Sequence, residues 1–184
     1  MPITLLSILF GVLITASLTS ELLKVNNTNP TLDNLTDRIR SWWVMIIILS
    51  LAFFMGKTAI IFLFAFLSFA ALREIITIST RNISDHWALA TAFFLILPIQ
   101  YISIHQNWYG FYTVFIPVYA FLGLSTLAAL KGQTNNFLTR TAEIQWGLMI
   151  SVFCISHIPA LLYLDIPNFP NPILLIVFLL IIAQ

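Results

Sequence analysis

Two charged residues stand side by side in the most apolar part of this chain. In Thr58–Ser79, TAIIFLFAFLSFAALREIITIS, the first fifteen residues are apolar, Thr or Ser, and then Arg73 and Glu74 interrupt the run. A guanidinium held there can donate hydrogen bonds to an anionic group, with Glu74 fixing Arg73 or binding a cation. The rival reading is anchoring. Arg73 lies six residues from Ser79, about 9 Å of helix at ~1.5 Å per residue, a distance a long side chain covers by snorkelling to headgroups. Glu74 is shorter and needs a partner inside the bundle.

His157 is the third candidate, in Cys154-Ile155-Ser156-His157-Ile158-Pro159. Ser156 and His157 form no catalytic dyad, because adjacent helix positions do not face each other. Cys154 and His157 share a face, but two ligands make no metal site. The simpler reading is a polar side chain hydrogen-bonded between helices, where Pro159 frees a carbonyl. His86 and His105 fall on opposite sides of the membrane in the map below, so the three histidines cannot combine. Asp33, Asp37 and Asp85 could hold Mg²⁺ beside a phosphorylated ligand; as loop and helix-start carboxylates they have an ordinary explanation, which is preferred. No metal site is assigned.

The elements that must position these residues are membrane helices. Of 184 residues, 60% are hydrophobic and only 8% charged, against about a quarter charged in soluble domains. The net charge of +1 gives no polyanion-binding surface, so nucleic acid is not an expected partner. One cysteine excludes an internal disulfide and a thiolate metal cluster. There is no Walker-type phosphate loop and no G-x-G-x-x-G turn. The N-terminus lacks both a basic n-region and an A-x-A cleavage site, so Ile3–Ser20 reads as a retained first helix.

Seven hydrophobic segments follow one another: Ile3–Leu23, Ser41–Met55, Thr58–Ser79, Trp87–Ile104, Trp108–Leu130, Ile144–Leu164 and Ile173–Gln184. The fold class is therefore all-α, a polytopic transmembrane helical bundle forming a single domain over residues 1–184. Ser41–Met55 is short, and either starts earlier, near Leu35, or tilts and thins the bilayer. Gly56-Lys57 would then be the whole turn into the next span. Asn26–Arg40, NNTNPTLDNLTDRIR, reads as a turn and a short interfacial helix leading into Trp42-Trp43. All five tryptophans fall near predicted span ends.

Loops after odd-numbered spans carry Lys24, Arg38, Arg40, Arg81, Lys131 and Arg140, with Arg73 near the same side, against Lys57 alone opposite. Seven against one is a strong positive-inside bias. It puts the N-terminus outside and the basic loops in the cytoplasm.

Several stretches together resemble one family. They are Arg38-Ile39-Arg40-Ser41-Trp42-Trp43, Ala71-Leu72-Arg73-Glu74, Gly110-Phe111-Tyr112, the run from Arg140 to Met149, RTAEIQWGLM, and Ser156-His157-Ile158-Pro159-Ala160-Leu161-Leu162. In order and spacing they are similar to the shorter bacterial branch of the phosphatidate cytidylyltransferases, or CDP-diacylglycerol synthases, from about Arg38 to the last residue. The resemblance implies condensation of phosphatidate with CTP to CDP-diacylglycerol and pyrophosphate, with Mg²⁺, for phospholipid biosynthesis. The family's defining Asp, Gly-Lys and Ser-Pro-Lys-Lys-Thr-like motifs are absent from these residues and are expected beyond Gln184. No catalytic or metal residue is carried over, while Arg73 and Glu74 match a characteristic family position.

The expectation is thus the N-terminal membrane portion of a longer enzyme, shaping the cavity that admits phosphatidate. The last segment, with 12 residues, spans about 18 Å against a hydrocarbon core of ~30 Å, so it reads as truncated, and the 184 residues alone should lack activity. Two alternatives stay open: a non-enzymatic transporter subunit or membrane scaffold, and a lipid-modifying transferase with another donor. A homo-oligomer is compatible with either.

Overall fold

The computed structural model describes residues 2–26, 30–78, 86–130 and 137–164, and among these every regular element is helical. Six helices follow: α1 Pro2–Asn26, α2 Pro30–Met55, α3 Lys57–Ile78, α4 His86–His105, α5 Tyr109–Leu130 and α6 Phe137–Tyr163. The last five are long and apolar enough to cross a membrane, and α1 contains a shorter apolar stretch, Phe10–Leu22. The all-α, polytopic expectation holds. The seventh segment, Ile173–Gln184, lies outside the described residues.

Two elements start earlier than hydropathy predicts. The short segment at Ser41 is the second half of one 26-residue helix beginning at Pro30, so no separate interfacial helix precedes Trp42. Proline suits a first helical turn, where its missing N–H would have no partner, and Asp33 complements the positive end of the helix dipole. Trp42 and Trp43 consequently lie well inside α2, not at its end. Likewise α6 begins at Phe137, seven residues before Ile144.

The turn after α2 is Gly56 alone. Its φ of 101° is the left-handed region open to glycine. Its N–H closes α2 on Ala52 O at 3.2 Å, and its carbonyl accepts from Ala59 N at 3.1 Å to open α3.

The chain forms two compact units, within Met1–Ala59 and within Ile60–Pro172. In the first, α1 and α2 pack antiparallel, as their side-chain contacts require: Ser20 Oγ meets Thr36 Oγ1 at 3.1 Å, Trp43 Nε1 donates to Ser17 Oγ at 3.0 Å, and Phe10 and Trp43 lie 5.7 Å apart.

In the second unit α3 to α6 form four antiparallel helices. Ile60, Phe64, Ser68, Leu72 and Ile76 make one buried stripe on α3 at every fourth residue. Phe62, Phe66 and Phe69 face outward while Phe64 is buried, so the Phe-rich run divides between packing and an apolar exterior. Phe69 meets Phe93 of α4 edge-on at 5.1 Å. α4 and α5 are joined through Asn107, at φ 55°. Asn107 N donates to Ile104 O at 2.9 Å and Trp108 N to Ser103 O at 3.0 Å, the paired bonds of a Schellman closure with Asn in the left-handed position. Gly147 of α6 packs against α3; a Cβ there would lie 3.4 Å from Ile75 Cγ2 and 3.7 Å from Leu72 Cδ1.

Candidate functional site

Each of α4, α5 and α6 contains one π-helical stretch, Ala92–Ile96, Phe115–Ala120 and Met149–Cys154 respectively. A proline lies in each or within five residues after it: Pro98, Pro117 and Pro159. Proline removes an N–H from the ladder, and a widened turn shifts the register by one, so carbonyls become available to side chains. Tyr112 O is one: five residues on, where a π-type bond would be donated, stands Pro117.

A neutral polar seam uses these groups. Gln100 of α4, fully buried, donates through Nε2 to Tyr112 O of α5 at 3.0 Å and to Ser156 Oγ of α6 at 3.1 Å. Its Oε1 has no hydrogen-bond partner among the described residues. The next residue, Tyr101, faces α3: its hydroxyl donates to Phe64 O at 2.9 Å. With that hydrogen used, the 2.6 Å contact with Ser68 Oγ must have Ser68 as donor. Nearer the other end, Gln145 Nε2 of α6 donates to Phe121 O at 2.9 Å and Ser125 Oγ at 2.8 Å on α5.

His157 joins the edge of this seam. Its Nδ1 is 2.7 Å from Phe153 O; a carbonyl only accepts, so Nδ1 carries the hydrogen. The ring lies 4.3 Å from Phe153 and 5.7 Å from Tyr112. The bond is therefore within its own helix, not between helices, and it does not use the carbonyl four residues before Pro159, which is that of Ile155. Cys154 is exposed.

Arg73 and Glu74 occupy the other end of the unit. Both are exposed, and neither side chain makes a hydrogen bond or ion pair among the described residues. The Glu74 carbonyl accepts from Thr77 Oγ1 at 2.6 Å. Because Gly147 lies beside Leu72 and Ile75, and His157 is ten residues further along α6, about 15 Å of helix at ~1.5 Å per residue separates His157 from this level. The structure does not bring the three candidates together. On α6, toward the end where α3 finishes, Arg140 is buried and Glu143 half-buried, and both are engaged.

Between α5 and α6, Pro117, Phe121, Gln145, Trp146 and Met149 line a mainly apolar crevice of about 250 Å³. Of these, Gln145 has both amide hydrogens already donated. Among the described residues no group of three or more His, Cys, Asp or Glu could hold a metal ion, so these residues offer Mg²⁺ no cage.

Residues 36–184 match the model of the cytidylyltransferase family. The chain belongs to that family. A curated family relative, the uncharacterized protein YnbB of Escherichia coli (strain K12), is 32% identical over 181 residues, 97% of this chain but 58% of that protein. The cytidylyltransferase-family chain thus spans little more than half of the curated relative's length. No solved structure matches it. The match takes in α2 from residue 36 and all of α3 to α6, hence both the polar seam and the Arg73–Glu74 pair.

Sequence reasoning singled out the charges and His157 but passed over Gln100, Tyr101 and Ser68. The available signal was an amide next to a phenol inside the apolar run of α4.

Proposed function

We propose that this chain is the membrane portion of an enzyme that transfers a cytidylyl group from CTP to a lipid phosphate, with phosphatidate as acceptor. A phosphate oxygen of the lipid attacks the α-phosphorus of CTP, the bond to the β-phosphate oxygen breaks, and pyrophosphate leaves with CDP-diacylglycerol formed. Membership of the cytidylyltransferase family over residues 36–184 carries this reading. The apolar crevice between α5 and α6 supports it, because its lining suits an acyl chain entering from the lipid phase. Arg73 and Glu74 would work at the nucleotide-facing end, Arg73 toward phosphate and Glu74 toward a cation or donor of the bound substrate. Mg²⁺ belongs to this reaction class; with no cage among the described residues, no step is assigned to it here.

In this reading the protein lies in a bacterial inner membrane, and the seven-to-one distribution of basic residues supports an N-terminus outside. A single cysteine at Asn82 in a Cys154→Ser background should then resist an impermeant thiol reagent in intact cells; labelling from outside would reverse the orientation.

The reaction is tested on the purified natural gene product with labelled CTP, phosphatidate and Mg²⁺. Labelled CDP-diacylglycerol and stoichiometric pyrophosphate are expected. Consumption of CTP with another acceptor, and none with phosphatidate, would replace the substrate; no nucleotidyl transfer to any lipid would overturn the proposal.

A further inference from the structure

One face of α2 carries a groove of about 630 Å³ lined by Asn34, Asp37, Arg38, Ser41, Trp42 and Met45. These positions recur at three- and four-residue steps, so they stack along one side of the helix. From Asn34 to Met45 the groove runs about 16 Å at ~1.5 Å per residue, from the start of the candidate span Asp33–Met55 to just past its middle. It is polar for its first two turns and apolar beyond, with Trp42 and Met45 at the inner end. That gradient is the one a phospholipid presents, from headgroup to acyl chain.

The charges in the groove define the headgroup. Arg38 supplies one positive charge and Asp37 one negative charge, and neither side chain has a hydrogen bond or ion pair among the described residues. Ser41 Oγ donates its only hydrogen to Asp37 O at 3.0 Å, so toward a ligand it can only accept. Among the described lining residues, the Arg38 guanidinium donates, the Asp37 carboxylate and the Ser41 oxygen accept, and the Asn34 carboxamide can do either. A headgroup with a single anionic phosphate satisfies Arg38 but is repelled by Asp37. A headgroup carrying both a phosphate and a primary ammonium satisfies Arg38, Asp37 and Ser41.

We propose that the α2 groove binds a zwitterionic aminophospholipid, phosphatidylethanolamine in chemical class, with its phosphate on Arg38, its ammonium on Asp37 and Ser41, and its upper acyl chain against Trp42 and Met45. This assignment is independent of the cytidylyl reading. A phosphatidate headgroup, more negative still, is the wrong occupant for a site containing Asp37.

Trp42 makes the site its own reporter. The full chain is placed in phosphatidylcholine nanodiscs containing small amounts of brominated-chain phosphatidylethanolamine or phosphatidylglycerol, and the quenching lost in Trp42→Phe is taken as the Trp42 component. Half-quenching is expected at about three-fold less phosphatidylethanolamine than phosphatidylglycerol, the size of an exposed charge pair. Asp37→Asn should remove the difference between the two lipids, and Arg38→Gln should raise the phosphatidylethanolamine requirement by about three-fold. Equal or stronger quenching by phosphatidylglycerol, or a preference that survives Asp37→Asn, overturns the assignment. Neither result bears on CDP-diacylglycerol formation, so the two proposals fail separately.

Discussion

The two ends of the α3–α6 unit solve opposite problems. Toward the Asn107 turn, the buried polar side chains are neutral and tie helices together: Gln100 ties α4 to α5 and α6, and Tyr101 ties α4 to α3. Toward the end where α3 finishes, charged groups join the neutral Gln145, and two of them, Arg73 and Glu74, are exposed. In an apolar medium a neutral amide bonded to a spare carbonyl costs little to bury, whereas an ion must keep water, headgroups or a counter-charge in reach. Neutral seams can therefore hold helices together at depth. Charges persist near an interface or where a charged ligand arrives. The Gln100 seam is built for cohesion, whereas Arg73 and Glu74 are left available.

If that division is right, removing the seam should cost stability before anything else. Gln100→Leu keeps the volume but leaves Tyr112 O and Ser156 Oγ without their donor. It should lower unfolding stability by about 1–2 kcal/mol, the upper part of the range for interhelical bonds in membranes, read as an earlier midpoint in an SDS titration of the purified protein. Tyr101→Phe removes one hydroxyl that serves Phe64 O and Ser68, and about 0.5–1 kcal/mol is expected. A wild-type midpoint for Gln100→Leu would break the contrast, because the buried amide would then be incidental to packing.

The charged end was the more legible of the two. Arg73 and Glu74 stand out in Thr58–Ser79 because charge is rare in such a run, and hydropathy alone sets that helix to within a residue at each end, Lys57–Ile78. Hydropathy misplaces the starts of α2 and α6 for a physical reason. PTLDNLTDRIR and FLTRTAE are too polar to score as apolar, yet backbone hydrogen bonding continues through them regardless. The neutral seam was hardest to read. A lone Gln or Ser in an apolar helix leaves no periodic mark, and its partners are backbone carbonyls of other helices, which no sequence pattern names. Pro159 hinted at one disturbed ladder, but not that α4, α5 and α6 would each contain a π-helical stretch. His157 illustrates the limit: its polarity was visible, its bond to Phe153 O in its own helix was not.

The smallest stability effect should come from the most conspicuous residues. The Arg73 and Glu74 side chains make no hydrogen bond or ion pair among the described residues, so Glu74→Gln and Arg73→Lys should each move the unfolding midpoint by less than about 0.5 kcal/mol, as surface changes usually do. Activity should separate them. Lysine retains the charge and the reach to snorkel or meet a phosphate, so Arg73→Lys preserves much of the interaction. Glutamine retains the shape of Glu74 but loses its charge. A charge-assisted hydrogen bond contributes about 1.5–3 kcal/mol, which corresponds to roughly ten-fold or more in rate if it acts in the transition state. Glu74→Gln should therefore lower CDP-diacylglycerol formation by roughly ten-fold, and Arg73→Lys by less. Near-wild-type activity for both would reduce the pair to an anchor at the membrane boundary. A large loss of stability in Glu74→Gln would instead mean that this end is cohesive too, and the distinction between the two ends would collapse.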